Sequence, residues 1–172
     1  MLFRSIMFFK PPKVRLGVPS FYMAGHVLKE SASYKYLGYI IESDSHDGND
    51  ISRQLRGIYT RANVLVRNFS VCSVDIKKSL FKSYCAGLYC AQIWTNYTKS
   101  QYAKIKASYN NSFRHLFGYR KECSASGMLT ENNVAGFDSI YRNTISAFKN
   151  RLCNSNNTIL SILFNMMGPG DQ

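Results

Sequence analysis

The sequence has few acidic residues: 10 Asp and Glu stand against 22 Lys and Arg among 172 residues, which gives a formal net charge of +12. Gly and Pro are scarce as well, at 11 and 4, and this excludes a collagenous or low-complexity chain. The best uncharged stretch, residues 83–98, is shorter than the about 20 apolar residues of a membrane-spanning helix. Residues 1–9 lack the small-residue cleavage site of a signal peptide. We therefore expect an intracellular protein, nuclear or cytoplasmic, without a membrane partner.

Motifs for catalysis and metal binding are also missing. The five cysteines form no CxxC pair, and their odd number argues against a disulfide framework. A nucleotidyl-transfer site needs two or three carboxylates to hold metal ions about 3.5 to 4 Å apart. This sequence has no adjacent Asp pair, and outside residues 42–50 its acids are scattered singly. We expect no catalytic residue, metal, cofactor or small-molecule substrate in this chain.

The basic residues are concentrated in one part of the chain. Residues 51–121 contain thirteen bases and one acid, whereas residues 42–50 contain four acids and no base. A basic helical surface that only keeps the protein soluble is one explanation. Solubility does not require charges of one sign to be so concentrated, so the pattern favours a polyanionic partner, namely nucleic acid.

The first quarter of the sequence is typical of strands. Residues 20–28, with Gly25 and His26 at their centre, suit a short hairpin, and residues 34–41 predict a further strand. The acidic residues 43–50 then open a helix. Their spacing is conceivable for a calcium loop, but the bidentate Glu at loop position 12 is absent, so acids that favour the positive end of a helix dipole explain them better.

From residue 51 onward the apolar spacing is helical. A stripe from Ile51 to Phe69 predicts a helix that packs with one face, and Arg53, Arg56 and Arg67 fall opposite that stripe, with Arg61 about 80° to one side. The planar guanidinium group suits this exposed row because it pairs bidentately with phosphate.

Further helices follow in the sequence. Residues 73–94 predict one that begins with basic turns and continues as the central buried helix; Tyr84 and Trp94, either of which could stack on bases, are expected in the core. Thr98 and Gln101 form a capping box for a third helix that ends at Gly118. Residues 137–152 predict a fourth helix, and a short one follows from Thr158. The expected fold is α+β and mostly α, a small N-terminal β-hairpin platform followed by a helical bundle. The candidate nucleic-acid-binding residues are Arg53, Arg56, Arg61, Arg67, Lys77, Lys78, Lys82, Lys104, Lys106 and Arg114.

Several sequence blocks occur in an order that resembles a known family. KYLG at residues 35–38 is similar to the segment downstream of the catalytic palm in reverse transcriptases of non-LTR (LINE-type, jockey-like) retrotransposons. The likeness continues to about residue 155, where the blocks are similar to the thumb and connector of that family. These blocks are ISRQLR (51–56), YTRANVLVRNFSVCS (59–73), KKSLFKSYCAGLYCAQIW (77–94), YNNSFRHL (109–116) and CSASGM (123–128).

The resemblance implies part of an RNA-directed DNA polymerase, whose full-length form holds Mg²⁺ on palm aspartates. Fingers, palm, aspartate pair and endonuclease have no counterpart in this sequence. It therefore looks like the C-terminal part of such an enzyme, from a truncated copy or a partial gene, and is inactive alone. What can be carried over is the thumb's task of gripping the template and primer, so the implied partner is the backbone of RNA, DNA or an RNA:DNA hybrid.

On this basis we expect three segments. Residues 1–46 form a strand-rich junction of palm and thumb, residues 47–118 a basic thumb-like bundle, and residues 119–172 a helical connector with a disordered tail. Two other functions stay open at this point: a nucleic-acid-binding module retained by a host, and a helical protein-interaction domain whose basic face is incidental.

Overall fold

The computed structural model of the protein describes residues 5–9 and 19–167. Within them, short strands precede a set of helices, and this confirms the α+β, mostly α, fold class. The strands are β1 (Ser5–Ile6), β2 (Tyr22–Met23), β3 (His26–Val27), β4 (Lys29–Glu30), β5 (Ser33–Tyr36) and β6 (Tyr39–Glu42). The helices are α1 (Gly48–Phe69), α2 (Val74–Tyr84), α3 (Lys99–Phe117), α4 (Ala125–Glu131), α5 (Phe137–Cys153) and α6 (Thr158–Met167), with a 3-10 turn at Ala91–Ile93.

The strands pair in twos. β1 runs parallel to β4, and the antiparallel pair β2–β3 is the hairpin predicted within residues 20–28. Its turn residues Ala24 and Gly25 both have positive φ, 47° and 77°, as the tight two-residue hairpin turn requires.

Residues 34–41, whose composition is strand-like, form two strands and not one. They fold into the β5–β6 hairpin, whose turn residues Leu37 and Gly38 have φ of 46° and 84°. The LG pair of the KYLG block therefore marks a turn. The Tyr89 hydroxyl donates a hydrogen bond to the Leu37 carbonyl at 2.6 Å, and a Cβ on Gly38 would lie 3.0 Å from the Tyr89 ring. Glycine is thus needed both for the turn and for the close approach of Tyr89.

Helices α1 and α3 form the centre of the bundle and run in the same direction. Gly48 at the start of α1 lies against Gln101 in the first turn of α3, and Tyr59 further along α1 shares a groove with Asn111 of α3. Most of the predicted stripe on α1 is buried as expected, whereas Leu55 and Phe69 are half-buried. The buried residues of the two helices that meet in the shared core are Ile51, Ile58, Ala62, Leu65, Ile105, Tyr109, Phe113 and Leu116.

The prediction of one buried helix over residues 73–94 is wrong. α2 ends at Tyr84, which is 52% exposed, and Phe81 is its one fully buried residue. Phe81 packs on Tyr109 and Phe113 with ring centroids 5.1 Å apart in both cases, which places α2 beneath the α1–α3 pair. Trp94 is 4% exposed and belongs to the core, as predicted.

The segment between α2 and α3 crosses the molecule as a partly buried loop because side chains of α1 satisfy its backbone. Cys90 adopts a left-handed conformation, with φ of 66°, and begins the 3-10 turn. The Gln54 amide donates to the Tyr89 carbonyl, and the buried Asp47 carboxylate accepts from the backbone N–H groups of Thr95 and Asn96 at 2.7 and 2.6 Å. Without such partners, buried peptide groups would destabilise the fold.

The acids at the start of α1 therefore do more than favour a helix dipole. Asp47 occupies the N-cap position but makes no capping hydrogen bond with its side chain. Asp50, which is fully buried, accepts from the Ile40 N–H at 3.1 Å, the Trp94 indole N–H at 2.9 Å and Arg53 Nε at 2.7 Å. One carboxylate thus joins β6, α1 and the loop before α3.

The later helices follow the predictions more closely. The capping box of Thr98 with Gln101 is formed, and Gly118 ends α3 with φ of 74°. α5 and α6 occur where they were predicted, whereas α4 was missed. Met128 and Phe137 belong to the same core cluster as α1 and α3, so the core continues across the expected boundary at residue 118. The end of the predicted disordered tail, residues 168–172, lies outside the described residues.

Candidate nucleic-acid interface

The exposed side of α1 presents a polar row beside α3. Ser52, Arg56, Tyr59 and Asn63 recur at steps of four, three and four, so they lie on one strip of the helix. All four are exposed, and Tyr59 shows 39% of its surface to solvent. Arg56 is one turn before Tyr59, which puts its guanidinium group on the same edge of α1.

A second polar row lies on α3, and two of its residues line a cleft together with Tyr59. Lys104, Asn111 and His115 are exposed and are spaced by seven and four residues, which keeps them on one strip of the helix. Ser108 and Ser112, beside this row, are buried. Tyr59 of α1 lines one cleft together with Asn111 and His115 of α3, so the two rows border one groove, which we call the α1–α3 groove.

The far end of this groove is a concave site with a volume of about 660 Å³. It is lined by Tyr59, Asn111, Arg114, His115, Tyr119 and Lys121. Two of these residues are cationic, and none of the lining residues within the described chain is a carboxylate. With Arg56 and Lys104 further along the groove, the local field is positive, and a positive cleft attracts phosphate groups.

Arg114 is held in place by two hydrogen bonds. Its Nη1 donates to Asn111 Oδ1 at 3.0 Å, and its Nη2 donates to the Cys123 carbonyl at 2.9 Å. Asn111 is on the preceding turn of α3, whereas Cys123 lies in the segment before α4. The guanidinium group is therefore oriented before any ligand arrives, which lowers the entropy lost on binding.

Tyr119 forms the other wall and is equally fixed. Its hydroxyl donates to Glu131 Oε2 at 2.9 Å and accepts from the Asn132 amide at 2.9 Å. Its ring stacks on Phe113, with centroids 6.2 Å apart and planes at 20°. Gly118 turns the chain sharply enough to bring Tyr119 back against α3.

Two of the predicted arginines are turned away from the groove. Arg53 forms an ion pair with the buried Asp50, and its side chain is 23% exposed. Arg61 lies over Gly57 and faces the buried Cys85, whose pKa burial raises to about 11 while the Arg61 charge opposes that rise. In Arg61, Nε and Nη2 are buried and find no acceptor among the described residues.

The structure separates the remaining predicted residues into distinct groups. Arg56 and Arg67 are exposed on the outer face of α1, and Lys104 and Arg114 are on the groove side of α3. Lys106 is on the other side of α3, paired with Asp138 of α5 at 2.7 Å. The three lysines of α2, Lys77, Lys78 and Lys82, lie beneath the helix pair, and Lys78 contacts Asp75 at 3.4 Å. Of the ten, Arg114 lines the cleft, Arg56 and Lys104 lie on the two strips that lead to it, and Arg67 continues the α1 strip four residues beyond Asn63.

Sequence reasoning missed the other groove residues. Tyr59, Asn111, His115, Tyr119 and Lys121 were not among the predicted site residues. Helical spacing could have grouped Asn111 and His115 with Lys104. The direction in which α3 runs beside α1 could not be read from either helix alone, and this direction brings Tyr59 to the same groove.

Two further observations limit the chemistry. Among the described residues, no group of three or more His, Cys, Asp or Glu side chains is placed to hold a metal ion. In the same part of the chain, none of the helices has both the length and the apolar character needed to cross a membrane.

In comparisons with known proteins, no family model, no curated protein and no solved structure matches this chain significantly.

Proposed function

We propose that the chain binds the sugar-phosphate backbone of nucleic acid along the α1–α3 groove and carries no catalytic activity of its own. The observation that carries the proposal is that Arg114 and Lys121 line one cleft whose lining holds no carboxylate within the described residues, while the exposed Arg56 and Lys104 lie on the helix strips that lead to it. Contacts of this kind position a duplex without reading its sequence.

The charge distribution supports phosphate over other anions. Nucleic acid carries a dense row of phosphate charges, and each phosphate that an exposed cation neutralises releases bound counterions. Arg114 uses one hydrogen of each Nη group within the fold, which holds the guanidinium group in the cleft lining with its remaining Nη hydrogens to offer to a phosphate oxygen.

On the basis of the resemblance to non-LTR retrotransposon reverse transcriptases, we propose that the chain is the thumb and connector part of an RNA-directed DNA polymerase. In this role the groove holds the template and primer. The bundle of α1, α2 and α3 with its basic face is compatible with that task. A host protein that retained the same module for nucleic-acid binding would use the groove in the same way.

The test is a binding titration at several salt concentrations. Fluorescence anisotropy with a labelled RNA:DNA duplex should show an affinity that falls linearly with salt on logarithmic axes. The triple variant Arg56→Gln, Lys104→Gln, Lys121→Gln should lower the magnitude of that slope by about 2 to 3, since each lost phosphate contact removes about 0.9.

The matched control removes the same number of charges elsewhere. Lys35, Lys149 and Arg151 are exposed on β5 and α5, away from the groove, and their change to glutamine should leave the slope almost unchanged. Binding by the wild type that does not depend on salt, or equal loss in both triple variants, contradicts the proposal.

A protein-interaction role is the second candidate, and the strand region favours it. Tyr22, Val27, Tyr36 and Leu37 are between 58% and 74% exposed, and such apolar side chains on short strands could pack on another protein. Such binding would be unaffected by the groove variant, which separates the two candidates.

A further inference from the structure

The far end of the α1–α3 groove differs from a plain phosphate track because an aromatic ring stands in it. Tyr59 lies on the outer strip of α1, with 39% of its surface exposed, and lines the same cleft as the fixed cation Arg114. An exposed tyrosine ring offers a π-face on which a nucleic-acid base can stack.

The size of this end of the groove sets the kind of ligand. A volume of about 660 Å³ is within the range of about 300 to 1,000 Å³ typical of small-ligand sites. A space of this size suits one or two nucleotide units. A base offers its face to the Tyr59 ring only when it is not stacked within a duplex.

The polar groups are arranged to hold the rest of such a nucleotide. Arg114 and Lys121 supply positive charge for the phosphate. Asn111 Oδ1 is occupied by Arg114, which leaves the amide Nδ2 of Asn111 able to donate to a base carbonyl. His115 is exposed one turn further along α3 and adds a ring nitrogen to the same cleft lining.

We propose that this end of the groove is a subsite for an unpaired nucleotide, with Tyr59 as the stacking platform and Arg114 and Lys121 as the phosphate contacts. The subsite rests on the proposed function and adds a substrate class to it: the chain holds single-stranded nucleic acid here in addition to the backbone of a duplex. Stacking on tyrosine accepts every base, so no strong sequence preference is expected.

The experiment compares a labelled single-stranded 12-mer with a blunt-ended duplex, both measured by anisotropy at one low salt concentration. Tyr59→Ala should weaken single-strand binding at least about fivefold, in line with the energy of one base–aromatic stack, while duplex affinity changes less than twofold. Tyr59→Phe keeps the ring and should bind within about twofold of the wild type.

Tyr84 supplies the matched control, because it is an exposed tyrosine on α2, beneath the helix pair and away from the groove. Tyr84→Ala should bind both ligands like the wild type. Unchanged single-strand affinity in Tyr59→Ala, or equal losses for both ligands, overturns the subsite while the backbone proposal stands. If the wild type binds neither ligand at low salt, the proposed function and the subsite fall together.

Discussion

The buried Asp50 carboxylate gives a stability prediction whose size can be worked from the structure. Asp50 is fully buried and accepts hydrogen bonds from Ile40 N–H, Trp94 Nε1 and Arg53 Nε. In Asp50→Asn one of the two oxygens becomes an NH₂ donor. Whichever way the amide turns, at least one of these donors loses its acceptor, and Arg53 loses its counter-charge.

The expected cost follows from those losses. A buried donor left without a partner costs about 1 to 3 kcal/mol, and breaking a buried ion pair costs about 3 to 5 kcal/mol. Because the Arg53 side chain is 23% exposed, water offsets part of the second loss. We expect Asp50→Asn to lower the free energy of unfolding by about 2 to 4 kcal/mol, a large part of the total of about 5 to 15 kcal/mol typical of a domain.

The assay is urea unfolding followed by far-UV circular dichroism, with the fluorescence of Trp94 as a local reporter. Asp75→Asn is the matched control: Asp75 is also in the first turn of a helix and also has a basic partner, but its side chain is 94% exposed. That control should cost less than about 1 kcal/mol. Equal midpoints for the two variants would refute the reasoning that Asp50 joins β6, α1 and the loop before α3.

Two further predictions concern single residues. Gly38→Ala should lower the free energy of unfolding by about 1 to 2 kcal/mol, because a non-glycine residue is strained at φ of 84° and the new Cβ would lie 3.0 Å from the Tyr89 ring. Its control in the same urea assay is Gly87→Ala, because nothing lies within 4 Å of the new Cβ there and no positive φ is required. The hydrogen bond from Lys106 lowers the pKa of the Asp138 carboxyl, against an opposing effect of burial. A carboxyl whose pKa is lowered in the folded state stabilises the protein above its ordinary pKa, and this contribution is lost as the pH falls through the folded-state value. Asp138→Asn should therefore reduce the difference in stability between pH 7 and pH 3, by a small amount since both partners are more than 40% exposed; an unchanged difference in stability between these pH values would contradict the assignment.

Elements with local signals could be predicted from the sequence. The capping box of Thr98 and Gln101 and the terminal Gly118 specify the ends of α3 within the chain itself. The apolar stripe of α1 was likewise sufficient to predict this helix and its packed face, because most of its positions are buried.

The loop between α2 and α3 could not be predicted, since its stability depends on distant residues. Its peptide groups are satisfied by Asp47 and Gln54, which are 35 to 49 residues away in sequence. The apolar character of residues 80–94 therefore predicted the wrong conformation and was only partly right about burial, since Trp94 is buried but Tyr84 and Tyr89 are exposed. The same limit applies to the groove, because the parallel arrangement of α1 and α3 depends on this loop.

The charge distribution predicted which basic residues belong to the candidate site, and their positions in the structure corrected that prediction. The excess of basic residues in residues 51–121 is genuine, but ion pairs engage Arg53 and Lys106, and the lysines of α2 lie elsewhere. A charge count does not distinguish a cation paired within the fold from one that faces a ligand.

The most direct test of the central claim is an NMR titration of the ¹⁵N-labelled protein with an RNA:DNA duplex at low salt. If the α1–α3 groove holds the backbone, the largest amide shift changes should cluster at residues 56–63, 104–115 and 119–121. Changes concentrated on α5 or on the β2–β3 hairpin, or no change at all, would contradict the account.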